Sequence, residues 1–242
     1  MIPSFADKYN LQSMYDNLNK YIREVDQNKI IFFESVTFDD FIPVGFSHVP
    51  GGDEFRNRSA LSYHYTNVNF DMETHLKTRM GDIKRLGSGG MLTEFGLRGE
   101  VQNILPEFEL IDNFLQSWIG WSYKPFGGIT GDCGSLFNDD GTKVLDKVYA
   151  FSRTFPHAVA GKTKKFSFDN NSSAFQLEYE ICESCGETEI FFNQELRYKD
   201  GFDLKFNNED YVHWEVKEKN KLFISHVSGT DKKVLLLTLN PK

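Results

Sequence analysis

Before residue 125 the chain alternates between two periodicities, and that alternation constrains the fold more than any other feature of the sequence. Leu11, Met14, Leu18, Ile22 and Val25 recur at helical spacing, and Lys29-Ile30-Ile31-Phe32-Phe33 follows as an apolar run of buried-strand length. Leu61 to Tyr65 reads as a second strand, and Asp71 is placed to cap a helix whose Met72, Leu76, Met80 and Ile83 share one face. Gly87-Ser88-Gly89-Gly90 ends that helix, and Met91-Leu92-Thr93 reads as a short strand. Pro106 suits the first turn of a helix running through Leu110, Phe114 and Leu115, and Trp118 to Trp121 is strand-like. Parallel neighbours need a crossover, usually a helix, so the alternation predicts an α/β architecture with helices packed on a parallel sheet. Periodicity alone leaves both a closed barrel and an open sheet in play.

The texture changes after Phe155-Pro156. Lys164 to Phe168, Phe175 to Ile181, Thr188 to Phe192, Leu196 to Phe206, Tyr211 to Val216, Leu222 to His226 and Val234 to Leu239 alternate in polarity or carry β-branched and aromatic residues. Turn signals such as Asp169-Asn170-Asn171 and Lys199-Asp200-Gly201 separate them. This number of short strands predicts an all-β sandwich domain. The domain division expected is 1–157 and 158–242.

A formal charge of −8 argues against a sequence-independent grip on nucleic acid, which depends on clustered Lys and Arg displacing counterions. Aromatics are 15% of residues, a composition that permits sugar or lipid binding while serving mainly as core. No stretch approaches the roughly 20 apolar residues of a transmembrane helix, and Met1 to Lys8 is not a signal peptide. Localisation stays open on this chain, with a secreted or lysosomal full-length protein as the expectation. Three cysteines make neither a disulfide framework nor a zinc site, so no metal or other cofactor is expected. For Cys182 and Cys185 the choice is between a hairpin-tip disulfide and two free thiols.

In a barrel of βα units, chemistry sits where strands end, which selects Glu34, His64, Tyr65, Glu94 and Trp121. Glu94 leads, because Thr93-Glu94-Phe95-Gly96 sets a carboxylate directly after a buried strand, where an unpaired charge is costly. Its competing reading is a salt-bridged or solvated glutamate. His64 reads either as a hydrogen-bonded structural histidine or as a group orienting Glu94 or a sugar hydroxyl. Trp121 reads either as core or as an apolar platform for a sugar ring. Glu34 ranks second as a site carboxylate, with burial and pairing as the alternative, and Gly45 to Asp53 reads as a cleft-shaping or a solvated loop.

Taken together, Phe32-Phe33-Glu34-Ser35-Val36, Val44 to Gly52, Ser62-Tyr63-His64-Tyr65, Leu92-Thr93-Glu94-Phe95-Gly96 and Trp118 to Lys124 resemble, in order and spacing, the endoglycoceramidases of glycoside hydrolase family 5. The resemblance spans about residues 9 to 160, and the β-rich remainder is similar, with lower specificity, to that family's C-terminal sandwich. It implies a partial (β/α)8 TIM barrel comprising strands five to eight, followed by the sandwich. Glu94 would be the catalytic nucleophile ending strand seven, with His64, Tyr65, Trp121, Glu34 and Lys124 binding substrate.

Family chemistry is retaining hydrolysis: one carboxylate attacks the anomeric carbon, a second protonates the leaving oxygen, and the two lie about 5 Å apart. In the family the proton donor belongs to an Asn-Glu pair ending strand four. No Asn-Glu precedes Glu94, and Asn208-Glu209 falls in the expected sandwich, where it reads as a turn. The chain is therefore expected to be a fragment lacking the acid/base half of the barrel. A second departure is Thr66, where the family commonly has another tyrosine. The function implied for the complete protein is cleavage between oligosaccharide and ceramide in glycosphingolipids, with peripheral contact to lipid aggregates. A β-glucosylceramidase or other β-glycosidase of the same family, or a noncatalytic carbohydrate- or lipid-binding remnant, are the alternatives.

Overall fold

The computed structural model describes residues 3–36, 42–65, 71–97, 99–126 and 134–242. They fall into two compact units, one comprising Met1–Arg98 and Gln116–Ser135 and the other Gly99–Leu115 and Leu136–Lys242. Thr66 lies outside the described residues.

In the first unit a helical turn, α1 (Pro3–Ala6), and a π turn (Asp7–Leu11) lead into α2 (Gln12–Val25). Then come β1 (Ile31–Glu34), a 3-10 segment (Asp53–Arg58), β2 (Ser59–Tyr65), α3 (Met72–Leu86), β3 (Gly89–Gly96) and β4 (Ser117–Trp121). The four strands are all parallel and stand in the order β1-β2-β3-β4, the arrangement the alternating periodicities predict. Asp71 caps α3 as expected, accepting from the Thr74 backbone N–H at 2.8 Å and the Thr74 hydroxyl at 2.6 Å. Gly87 closes the helix with φ of 69°, a left-handed position that glycine enters without a Cβ penalty.

The sheet has one face under helices and one without. Phe33 packs edge-on against Tyr15 of α2 and against Phe46, and Tyr63 and Tyr65 lie against His75 of α3. Strand alternation turns Phe32 and Ile119 to the opposite face, where they are 48% and 52% exposed. Within this unit no described helix covers that face.

α2 overturns a simple reading of its apolar stripe. Leu18 is 45% and Val25 90% exposed, while Gln12, Asn19 and Arg23 are buried. The long connection from β1 to β2 explains the inversion, since its backbone groups need partners that water does not supply. Arg23 donates to the carbonyls of Lys29 (2.7 Å) and Arg58 (3.2 Å), Gln12 accepts from Ser47 N–H (3.1 Å), and Asp16 from Gly51 N–H (2.8 Å). Val44, Phe46, Val49 and Pro50 are buried, so this segment is a packed element lying along α2 and not a solvated loop.

The second unit holds α4 (Val101–Asn113), α5 (Leu145–Phe151), the short helix α6 (Gln194–Arg197) and eight strands. The strands are β5 (Phe155–Ala158), β6 (Gly161–Phe168), β7 (Phe175–Ile181), β8 (Thr188–Phe191), β9 (Phe202–Phe206), β10 (Val212–Glu218), β11 (Lys221–His226) and β12 (Val234–Pro241). Two antiparallel sheets, β10-β11-β8-β5 and β6-β7-β12-β9, enclose a core that includes Phe175, Leu177, Tyr179, Ile190, Ile224 and Leu237. That is the predicted sandwich, with one local correction inside it and one in a helix before it. Leu196 to Phe206 is not one strand: Asn193 caps the Leu196 N–H at 3.1 Å and starts α6. Pro106 lies inside α4 and not in its first turn, because the helix starts five residues earlier at Val101. Cys182 and Cys185 form a disulfide in the turn after β7, and Asn208-Glu209 is a capped 3-10 turn.

Candidate active site

Register decides which side chains meet at the C-terminal ends of the parallel strands. Glu34 pairs with Ser62, His64 with Glu94, and Gly96 with Trp121. All of these lie on the sheet face opposite α2 and α3.

Glu94 reaches that face only because β3 is irregular. Leu92 is fully buried on the helix side, and in a regular strand the residue two positions on shares its face. The pairing of β3 shifts by one residue between Leu92 and Phe95, opposite Tyr63 and His64, so Thr93 is an extra residue and Glu94 emerges beside His64. Glu94 is thus inside β3, two residues before its end, and not directly after a strand.

Around Glu94 the structure assembles a polar row. His64 Nε2 lies 3.4 Å from Glu34 Oε1, long for a hydrogen bond and short for an ion pair. The Ser62 hydroxyl is 3.5 Å from Glu34 Oε2 and 2.6 Å from the Thr93 hydroxyl, which also reaches the Tyr63 carbonyl at 3.3 Å. Tyr15 grips the backbone of Glu34 on both sides, accepting from its N–H at 3.0 Å and donating to its carbonyl at 3.3 Å. Burial lifts the Glu34 carboxyl above the ordinary carboxylate range; the Glu94 charge pushes the same way, while His64 and the Ser62 hydroxyl oppose it.

Trp121 ends β4, is 38% exposed with its ring stacked 6.2 Å from that of Phe126, and precedes a cis peptide bond to Ser122. Of the residues predicted for the site, Glu34, His64, Glu94 and Trp121 therefore share one face. Tyr65 does not: alternation turns it to the helix side, buried, with its ring 5.6 Å from His75. Lys124 lies beyond the strand, exposed, with its ammonium 5.9 Å from the Tyr123 ring. Sequence reading missed Tyr15, Ser62 and Thr93. The signal for Ser62 was its spacing of two from His64, which puts both on one face of a strand.

Among the described residues no cluster of three or more His, Cys, Asp or Glu could hold a metal ion, and no helix is long and apolar enough to cross a membrane.

Residues 153–237 match the glycoside hydrolase family 5 C-terminal domain. The chain is 43% identical to an endoglycoceramidase from Hydra vulgaris over 211 residues, 86% of this chain and 41% of the relative. It is 40% identical to an endoglycoceramidase from Cyanea nozakii over 237 residues, 93% of this chain and 47% of the relative. The chain thus spans less than half the length of the curated relatives it matches. Among solved structures, endo-glycoceramidase II from Rhodococcus sp., in an iminocyclitol complex, superimposes with a TM-score of 0.81 at 17% identity, covering 100% of this chain and 57% of that one. The same enzyme in a ganglioside GM3 complex gives 0.78, covering 98% and 55% at 17% identity. Sterylglucosidase 1 from Cryptococcus neoformans gives 0.68 at 14% identity, covering 97% and 44%.

Proposed function

We propose, for this endoglycoceramidase-like chain of glycoside hydrolase family 5, the role of the nucleophile-bearing part of a retaining glycosidase that cleaves oligosaccharide from ceramide in glycosphingolipids. The observation that carries the reading is the clustering of Glu94, His64, Glu34 and Trp121 on the helix-free face at the C-terminal ends of a parallel sheet. Its fold is that of the C-terminal half of a TIM barrel followed by a β domain, and we divide the two at residue 157.

In this reading Glu94 attacks the anomeric carbon and carries the glycosyl group until water releases it. His64 and Glu34 hold sugar hydroxyls or the nucleophile in place, and the Trp121 ring offers an apolar platform to a sugar face. Tyr65 and Lys124 complete the proposed substrate-binding set, Tyr65 on the helix side of β2 and Lys124 in the exposed segment after β4. The proton donor comes from a second carboxylate outside this chain. Contact with lipid aggregates belongs to the same proposal, because ceramide-bearing substrates are presented in micelles or membranes. The face alone does not fix the aglycone, so a β-glucosylceramidase specificity is the nearest alternative.

The test is Glu94→Gln in the natural full-length polypeptide, assayed on a glycosphingolipid and on an activated aryl glycoside. Loss of about 10³-fold or more in kcat on both substrates is expected. Turnover left intact on either would overturn the assignment.

A further inference from the structure

A regular β3 would bury Glu94 with Leu92 under the helices, and the structure offers a specific reason that it does not. The extra residue is a threonine, and its hydroxyl makes the shortest contact in the cluster, 2.6 Å to Ser62 on the neighbouring strand. Ser62 in turn faces the Glu34 carboxylate, whose other oxygen faces His64, and Glu34 is itself anchored through its backbone by Tyr15 on α2. We propose that Thr93, Ser62 and Glu34 form a positioning network: the Thr93–Ser62 hydroxyl pair pins the bulge that aims Glu94 onto the open face, and Glu34 holds that pair and the His64 ring together. The inference rests on Glu94 being the nucleophile; it adds Thr93 and Ser62, which never touch the reacting atoms, and of the two roles open to Glu34 it selects holding the nucleophile in place.

Two physical arguments favour the hydroxyl over the mere shape of Thr93. A bulge residue is left out of the ladder, so its conformation needs another tie, and a side-chain hydrogen bond to the adjacent strand supplies one. A threonine hydroxyl set between the Ser62 hydroxyl and the Tyr63 carbonyl has its acceptor and donor roles filled, whereas an apolar replacement would strip Ser62 of its best partner. Catalysis is steep in distance: a displacement of about 1 Å at a reacting group can cost on the order of 10²-fold in rate.

Valine has the shape of threonine without the hydroxyl, and serine has the hydroxyl without the branch, so the pair separates aim from packing. In the natural full-length polypeptide, Thr93→Val is expected to lower kcat on an activated aryl glycoside by about 10–10²-fold. KM should change less than about threefold, and Thr93→Ser should return to within about threefold of the parent kcat. Ser62→Ala and Glu34→Gln should move kcat in the same direction, and labelling of Glu94 by a 2-deoxy-2-fluoro glycosyl fluoride, in which the anomeric carbon bonds to the carboxylate as the anomeric fluoride leaves and the C2 fluorine stays, should slow in parallel. Circular dichroism melts check that each variant is folded.

The proposal is overturned if Thr93→Val equals the parent while Thr93→Ser is the damaged variant, since shape alone then matters. It also falls if Glu34→Gln raises KM at unchanged kcat, which marks a direct sugar contact. Either result leaves the nucleophile assignment standing as long as Glu94→Gln is dead. Turnover by Glu94→Gln removes the premise instead.

Discussion

In the second unit, Arg153 and Asp112 are both buried and face each other, with Arg153 Nη1 3.1 Å from Asp112 Oδ1 and Nη2 bonded to Oδ2. The guanidinium also lies 4.7 Å from the centre of the Phe108 ring and 5.5 Å from that of Phe168. Burial raises the Asp112 carboxyl despite the arginine, while the bonds to Arg153 and to the Phe168 backbone N–H oppose that rise. Desolvation therefore outweighs attraction here, and the pair matters because each charge needs the other. Arg153→Met keeps the aliphatic volume and leaves a buried, unpaired carboxylate, which costs about 3–5 kcal/mol. For a unit of this size that is roughly 10–20 °C in melting midpoint. Adding Asp112→Asn removes the stranded charge yet keeps an acceptor for the Phe168 N–H, so the double variant should recover at least about half of the loss. The assay is thermal and urea unfolding by circular dichroism at pH 7 for parent, both single variants and the double variant. A loss below about 1 kcal/mol in Arg153→Met, or a double variant weaker than Arg153→Met, would refute the reasoning.

Two further predictions concern stability. Burial pushes the Glu107 carboxyl up to about 7 from an ordinary 4.5, so the native state binds this proton more tightly than the unfolded chain. Its stabilising contribution is complete below pH 4.5 and is lost as pH rises through 7; Glu107→Gln should abolish that decline, worth about 1–2 kcal/mol after discounting for partial exposure, in melts from pH 5 to 8. At Gly45 an added Cβ would sit 1.7 Å from the Ser4 carbonyl oxygen, while the Gly45 N–H donates to buried Asp7 at 2.8 Å. Gly45→Ala should therefore lower stability by about 2–3 kcal/mol in urea titration, and a neutral result would show that this root of the β1 exit segment can move.

Much of the architecture was legible because period and side-chain type report directly on burial. Ile31 to Phe33, Leu61 to Tyr65 and Phe175 to Ile181 fold as strands, and the Asp71 cap and Gly87 stop bound α3 where expected. The stripe on α2 misled because periodicity shows which residues are apolar, not what a neighbouring segment demands. There the demand came from backbone groups between β1 and β2, and polar side chains won the buried face. Likewise, Leu196 to Phe206 has strand-like composition, but a local cap at Asn193 was enough to wind its first turn into a helix.

The site divides in the same way. Glu34, His64, Glu94 and Trp121 could be nominated from sequence because each sits at or near the end of an apolar run, and strand ends in a parallel sheet share one rim. Tyr65 could be nominated on the same ground, and its side chain takes the helix side, since adjacent strand residues face opposite sides. Which side Glu94 takes was beyond any reading of one segment: it depends on a one-residue slip between β3 and its neighbours, held by hydroxyls from two strands. Local chemistry, carried by the sequence alone, determined the elements and the candidate carboxylates. Only the paired sheet decided their facing, because register is a property of two strands at once.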